Sequence, residues 1–165
     1  MRLPFLTGFS FLAVMPLLAG PAGAQTATGS FTVQIQITAE CLINSATTLD
    51  FGASGVLSSA KTGTSVITVQ CTNGTTYNVG LNAGLGTGAT VASRRMTGPA
   101  SATVTYSLYT DATHTTVWGE TIGTDTVAGT GTGAAQAYTV YGQVPAQSTP
   151  AVGTYSDTIT VTVTY

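Results

Sequence analysis

The chain has 165 residues, of which four are basic and six acidic, for a formal net charge of −2. Charged residues make up only 6% of it, against about 25% in an ordinary soluble domain. So few cations cannot build the basic face that nucleic acid or an anionic membrane requires, and both are excluded as partners.

Arg2 opens an apolar run from Phe5 to Ala19, broken by Gly8 and Pro16. Ala22-Gly23-Ala24 then supplies a small-x-small cleavage pattern before Gln25. The run is too short and too interrupted to span a bilayer, which takes about 20 apolar residues. A lipid anchor would require a Cys directly after the cut, and Cys41 lies far downstream. Residues 1–24 are therefore expected to be an export signal. The remaining residues fit one domain, in which Lys61, Arg94 and Arg95 stand against six acids. In an oxidising compartment Cys41 and Cys71 read as a structural disulfide. A metal site would need further ligands, and the chain has one His and no other Cys.

Period-two alternation runs through the exported part, and helical spacing is absent. "GSFTVQIQIT", Gly29 to Thr38, places Phe31, Val33, Ile35 and Ile37 on one side and polar residues on the other. A short strand is expected near Leu49 to Gly52, and another from Val66 to Cys71 with Ile67, Val69 and Cys71 on one face. Asn73-Gly74 signals a turn. Tyr77, Val79 and Leu81 alternate next, followed by Val104, Tyr106 and Leu108, then Tyr138, Val140 and Val144. The last run, "YSDTITVTVTY", sets Ile159, Val161, Val163 and Tyr165 against four threonines. "NAGLGTGAT" and "AGTGTGAAQ" read as loops, and Pro145 and Pro150 bracket another. About seven short strands with turn chemistry between them predict an antiparallel β-sandwich.

No enzyme reading survives the motifs. His114 and Asp111 in "TDATHTT" read as a polar loop, since a base alone makes no catalytic site. No G-x-S-x-G elbow occurs in the exported part. "GLGTGA", Gly84 to Ala89, fits a loose dinucleotide fingerprint but lacks the helix that must follow it. The scattered acids are not paired at glycosidase or calcium-binding spacing. Asn73-Gly74-Thr75 matches a glycosylation sequon, and the turn reading prevails. Trp118 in "TTVWGE" reads as core more readily than as a sugar platform.

The chain resembles the spore coat protein U domain family, whose best-known members are major subunits of archaic chaperone–usher pili of the Csu type. The resemblance rests on "TGSFTVQIQITAEC", "LDFG", "ITVQC", "VTYSLYTDATHTTVWG", "YTVYGQV" and "GTYSDTITVTVTY", in that order. It implies an all-β fold, an incomplete immunoglobulin-like antiparallel β-sandwich over residues 39–165 with an N-terminal donor strand over 25–38. In that family a periplasmic chaperone first fills a groove between the sheets. The N-terminal strand of the next subunit then replaces it at the outer-membrane usher. By the resemblance, Phe31, Val33, Ile35 and Ile37 match the donor residues, and Cys41 and Cys71 the family's disulfide. The strand bordering the groove is matched by Tyr155, Ile159, Val161, Val163 and Tyr165. Arg94 and Arg95 fall where the family often has a basic residue, with no role assigned.

The implied function is a structural subunit of an extracellular pilus, exported to the periplasm and then the cell surface, in surface attachment or biofilm formation. Its implied partners are other copies of itself, a periplasmic chaperone and an outer-membrane usher. No cofactor, metal, nucleic acid or small-molecule substrate is expected. Two alternatives remain at this level: a secreted spore or cell-surface coat protein of the same fold, and a carbohydrate-binding sandwich using Trp118 and Tyr109. Alternation alone also allows Gly29–Thr38 to be the first strand of a complete, monomeric sandwich.

Overall fold

The computed structural model describes residues 23–165. The export signal expected over 1–24 lies outside the described residues, apart from Gly23 and Ala24. The chain divides after Ile35, and the unit Gln36–Tyr165 holds every strand among the described residues. Eight strands form in it: β1 (Cys41–Ala46), β2 (Lys61–Cys71), β3 (Thr76–Leu81), β4 (Arg94–Thr97), β5 (Thr103–Tyr109), β6 (Val127–Thr130), β7 (Ala135–Val144) and β8 (Val161–Thr164). No α-helix occurs among the described residues.

The strands make two sheets, ordered β1-β2-β7-β5-β4 and β6-β3-β8. Every pairing is antiparallel. This is the antiparallel sandwich that the alternation predicts. Four strands bury one face: Ile67, Val69 and Cys71 from β2, Val104, Tyr106 and Leu108 from β5, and Val140 and Val144 from β7 meet Tyr77, Val79 and Leu81 from β3. Fully burying an aliphatic or aromatic side chain of this kind contributes roughly 1.5–3 kcal/mol. The turn at Asn73-Gly74 is present, with Gly74 at φ +81. It carries the chain from one sheet to the other rather than closing a hairpin, since β2 and β3 are not paired.

Cys41 and Cys71 are disulfide-bonded and directly opposed in the β1–β2 register. The closed loop spans a sequence separation of 30, so its removal restores unfolded-state entropy worth about 3–4 kcal/mol. The Cys41→Ser/Cys71→Ser double variant is expected to lose that much stability. Urea unfolding of oxidised wild type beside the variant measures it.

Several sequence expectations are corrected. Gly29–Thr38 forms no strand, because it has no ladder partner in the structure. Leu49–Gly52 is irregular: the Asp50 carboxylate accepts the Gly52 N–H, and Gly52 turns at φ +70. Its side chains still count, for Leu49 and Phe51 pack on the core. Leu49 sits against Gly63 and Gly142, which are partners in the β2–β7 register, and a Cβ at Gly142 would lie 2.7 Å from it. The run Tyr155–Tyr165 is a regular strand only over Val161–Thr164. Upstream, side chains replace a neighbouring strand. Asp157 accepts the N–H groups of Leu85 and Thr158, and Asn82 accepts that of Thr160. Strands β1, β4 and β6 are additional to the expected ones, and β6 runs into the Gly/Thr-rich stretch expected to be a loop. Gly129 of β6 belongs there because a Cβ would strike the Tyr77 ring and the Tyr138 hydroxyl.

Candidate functional site

The two sheets are unequal, five strands facing three. Their edge strands β1 and β8 are not hydrogen-bonded to each other. Between the sheets an apolar groove is left open. It consists of two adjoining cavities of about 480 and 620 Å³, which share Leu49, Asp50, Phe51, Met96 and Tyr155. The first runs beneath Ile67, Leu81, Tyr106, Leu108 and Val140 and is bordered by Ile159 and Val161. The second continues past Leu57, Val104 and Val144 towards Thr149–Thr154. Phe51 meets Tyr106 edge-on at 6.2 Å inside it.

Residues that should be interior by their strand position are only half covered along this opening. Tyr155, Ile159, Val161 and Val163 alternate inward yet remain partly exposed. Ile43 shares the Cys41 face of β1 and sits opposite buried Val69, and is nevertheless 43% exposed. Tyr165, expected in this row, follows the end of β8 and is 59% exposed. On its free side β8 presents a row of unpaired backbone groups, an edge able to accept another strand.

The N-terminal segment has the complementary character. Phe31, Val33, Ile35 and Ile37 are 88%, 83%, 82% and 71% exposed. Four large apolar side chains in alternation, all exposed, are a feature that soluble chains rarely tolerate without a partner.

Arg94 gives the groove a rigid base. It is fully buried, and its guanidinium donates only to backbone carbonyls: Nε to Asn82 (2.8 Å), Nη1 to Val91 (2.7 Å), and Nη2 to Leu81 (2.9 Å) and Trp118 (2.7 Å). Burial pushes its pKa down, and Tyr106, Asp157, Asp125 and Glu120 partly offset that. Beside it the Tyr106 hydroxyl donates to Asp157 at 2.7 Å. Burial, then this bond, holds Tyr106 far above the ordinary phenol value, so it stays a neutral donor. A Cβ at Gly84 would collide with the Asp157 carboxylate, so Gly84, at φ +82, is fixed by this contact and not by a nucleotide.

The other candidates are structural. Trp118 is buried, as its reading as a core residue expects, with its indole N–H donating to the Val79 carbonyl at 2.8 Å, so the alternative of a sugar platform falls. The Asp111 carboxylate is held well below its ordinary value first by the Thr113 hydroxyl and then by the backbone N–H groups of Thr116 and Thr115. That ties the 111–116 loop, where His114 stacks edge-on to Tyr109 and Tyr141. Among the described residues no group of His, Cys, Asp and Glu could hold a metal ion. The resemblance singled out Arg94 and Arg95 without a role, and the structure gives Arg94 that of a buried anchor for four carbonyls.

The spore coat protein U domain family matches residues 27–162. Protein U of Myxococcus xanthus is 36% identical over 159 residues, covering 88% of each chain. Among solved structures, the chain is similar in fold to one in the CsuC–CsuE chaperone–tip adhesion subunit pre-assembly complex, from archaic chaperone–usher Csu pili of Acinetobacter baumannii. The TM-score there is 0.57 at 24% identity, over 78% of this chain and 40% of the other. The chain thus spans well under half the length of that solved relative. From the match over residues 27–162 and from the shared sandwich, the chain belongs to the spore coat protein U domain family.

Proposed function

We propose that this protein is a structural subunit of an extracellular pilus of the chaperone–usher type, polymerising by donor-strand complementation. In this mode of β-augmentation an extended segment adds a strand to an exposed sheet edge, and pockets take its alternate side chains. The observation that carries the reading is the pairing of two deficits in one chain. The body has an open apolar groove bordered by the partly exposed Ile159 and Val161. The segment Gly29–Thr38 has four exposed apolar side chains at the matching period. Ten extended residues span about 33 Å, the length of a long strand. Burying the four side chains contributes roughly 6–12 kcal/mol as an upper bound.

The chain is exported by its leader to the periplasm, kept soluble there by a chaperone strand in the groove, and added at an outer-membrane usher. Each contact joins the arm of one copy to the groove of another, a heterologous interface that generates an open filament. Surface attachment or biofilm formation is the role of such a filament. The similarity of fold to a subunit solved with its chaperone supports the reading.

Ile35→Asp places a carboxylate in the middle of the buried row. Co-expressed with its chaperone and usher, this variant is expected to leave the cell surface without fibres in negative-stain microscopy while the body still folds. Normal fibres from it refute the donor assignment. The family description favours a second reading, a coat protein laid down on a cell surface. Amorphous deposits in place of filaments from the wild-type chain, in the same experiment, select that reading.

A further inference from the structure

An arm that fits a neighbour's groove must be kept out of its own, because the two are covalently joined. A tethered segment whose linker can span reaches effective concentrations in the millimolar range, well above a second copy at micromolar concentration. We propose that Thr72 is the positioning residue that holds the root of the arm in an open course, reserving it for a second copy of this chain. This rests on the donor-strand reading.

Thr72 follows Cys71 directly, at the corner where the chain leaves the five-stranded sheet. Its N–H donates to the Glu40 carbonyl at 2.9 Å. Its Oγ accepts the Glu40 N–H at 3.2 Å and donates to the Thr38 carbonyl at 3.0 Å. Three backbone groups within Thr38–Glu40 are thereby committed to one residue. The disulfide beside it, with Cα atoms 4.1 Å apart, fixes the strand on which Thr72 stands.

Only two routes could bring the arm along its own β1. A parallel approach takes a crossover of a dozen or more residues, and Thr38-Ala39-Glu40 supplies three. An antiparallel approach takes a tight reversal within the same three. Tight hairpins favour Asn-Gly or Asp-Gly, whose residues accept positive φ. Here the residues are Thr, Ala and Glu, none at positive φ, and reversal would break the Thr72 bonds. A second copy's arm carries no such constraint and can approach in either direction.

The test uses the full chain, exported to the periplasm of a host without the chaperone and usher, then purified. Amide hydrogen exchange over residues 29–38 is read in the monomer fraction, and the assembly rate is read at micromolar concentration. Losing the two Thr72 side-chain bonds should shift the open–closed balance roughly tenfold. Thr72→Val is expected to slow exchange over 29–38 in the monomer and to reduce assembly about tenfold, while Thr72→Ser keeps wild-type behaviour. Ala39→Asn/Glu40→Gly installs the missing reversal and is expected to reduce assembly further. A purely structural role would destabilise the body without protecting the arm.

Wild-type exchange and assembly in both Thr72→Val and the double variant overturn the proposal. Should Thr72→Val not fold, the double variant, which keeps Thr72 and every strand residue, decides. If Ile35→Asp also assembles normally, the donor reading itself has failed. If Ile35→Asp is inert while the Thr72 series is silent, only the role of Thr72 falls.

Discussion

Appending a second copy of residues 29–38 after Tyr165 through a flexible Gly/Ser linker is expected to raise the melting temperature by about 10 °C or more. Strand β8 ends at Thr164 and has one free edge, so a short linker suffices for the appended segment to turn back antiparallel along it. Its alternate side chains then cover Val161 and Val163 and enter the cavity beneath Leu49 and Phe51. Ordering ten residues opposes much of the burial gain. Even so, about 3 kcal/mol of surviving stabilisation moves the midpoint of a domain this size by roughly 10 °C. The same extension carrying Ile35→Asp in the appended copy should give no increase. Calorimetry on the three chains reads the result, and equal midpoints for all three mean that the groove does not accept this segment. Such an extended chain should also stop assembling, since its groove is filled from within.

Much of this architecture is written in the alternation of the sequence, because a strand buried on one face must repeat every second residue. Ile67, Val69 and Cys71, or Val104, Tyr106 and Leu108, are interior in the structure as that pattern requires. Where the pattern misled, side chains had taken over the work of a neighbouring strand. Asp157 and Asn82 bind the backbone of 157–160, so alternation there marks a groove wall and not a ladder. Leu49-Asp50-Phe51 alternates because its side chains drop onto paired glycines, while its backbone turns at Gly52. Strand β6 was hidden because Gly129 carries no side chain, which is what lets it pass over two tyrosines. The apolar row of the arm was plain from Phe31 to Ile37. The groove was not, since it is assembled from Ala46–Phe51, β8 and residues of five further strands, β2, β3, β4, β5 and β7, and no local pattern encodes an opening between distant segments.

Arg94→Met is expected to cost about 3–5 kcal/mol, the second large effect. The guanidinium satisfies four carbonyls at once, those of Leu81, Asn82, Val91 and Trp118. These belong to the end of β3 and to the segments holding Val91 and Trp118, so one side chain ties three stretches that share no ladder. Met fills most of the volume but donates nothing, and each buried acceptor left without a donor costs roughly 1–3 kcal/mol unless water reaches it. Arg94→Lys keeps the charge and is still expected to lose about half as much. An ammonium has three donors without the planar fork, and it cannot address four carbonyls spread around one plane. The order wild type, Lys, Met in urea midpoints checks the assignment, with unchanged slopes showing that the folded state is the same. A Met variant as stable as wild type would mean that those carbonyls find other donors. Because Leu81 and Tyr106 line the groove next to this anchor, the Met chain should also bind an added 29–38 peptide more weakly than wild type. Arg95, whose guanidinium reaches only the Thr87 carbonyl at 3.2 Å, is the control: Arg95→Met should leave both stability and peptide binding near wild type.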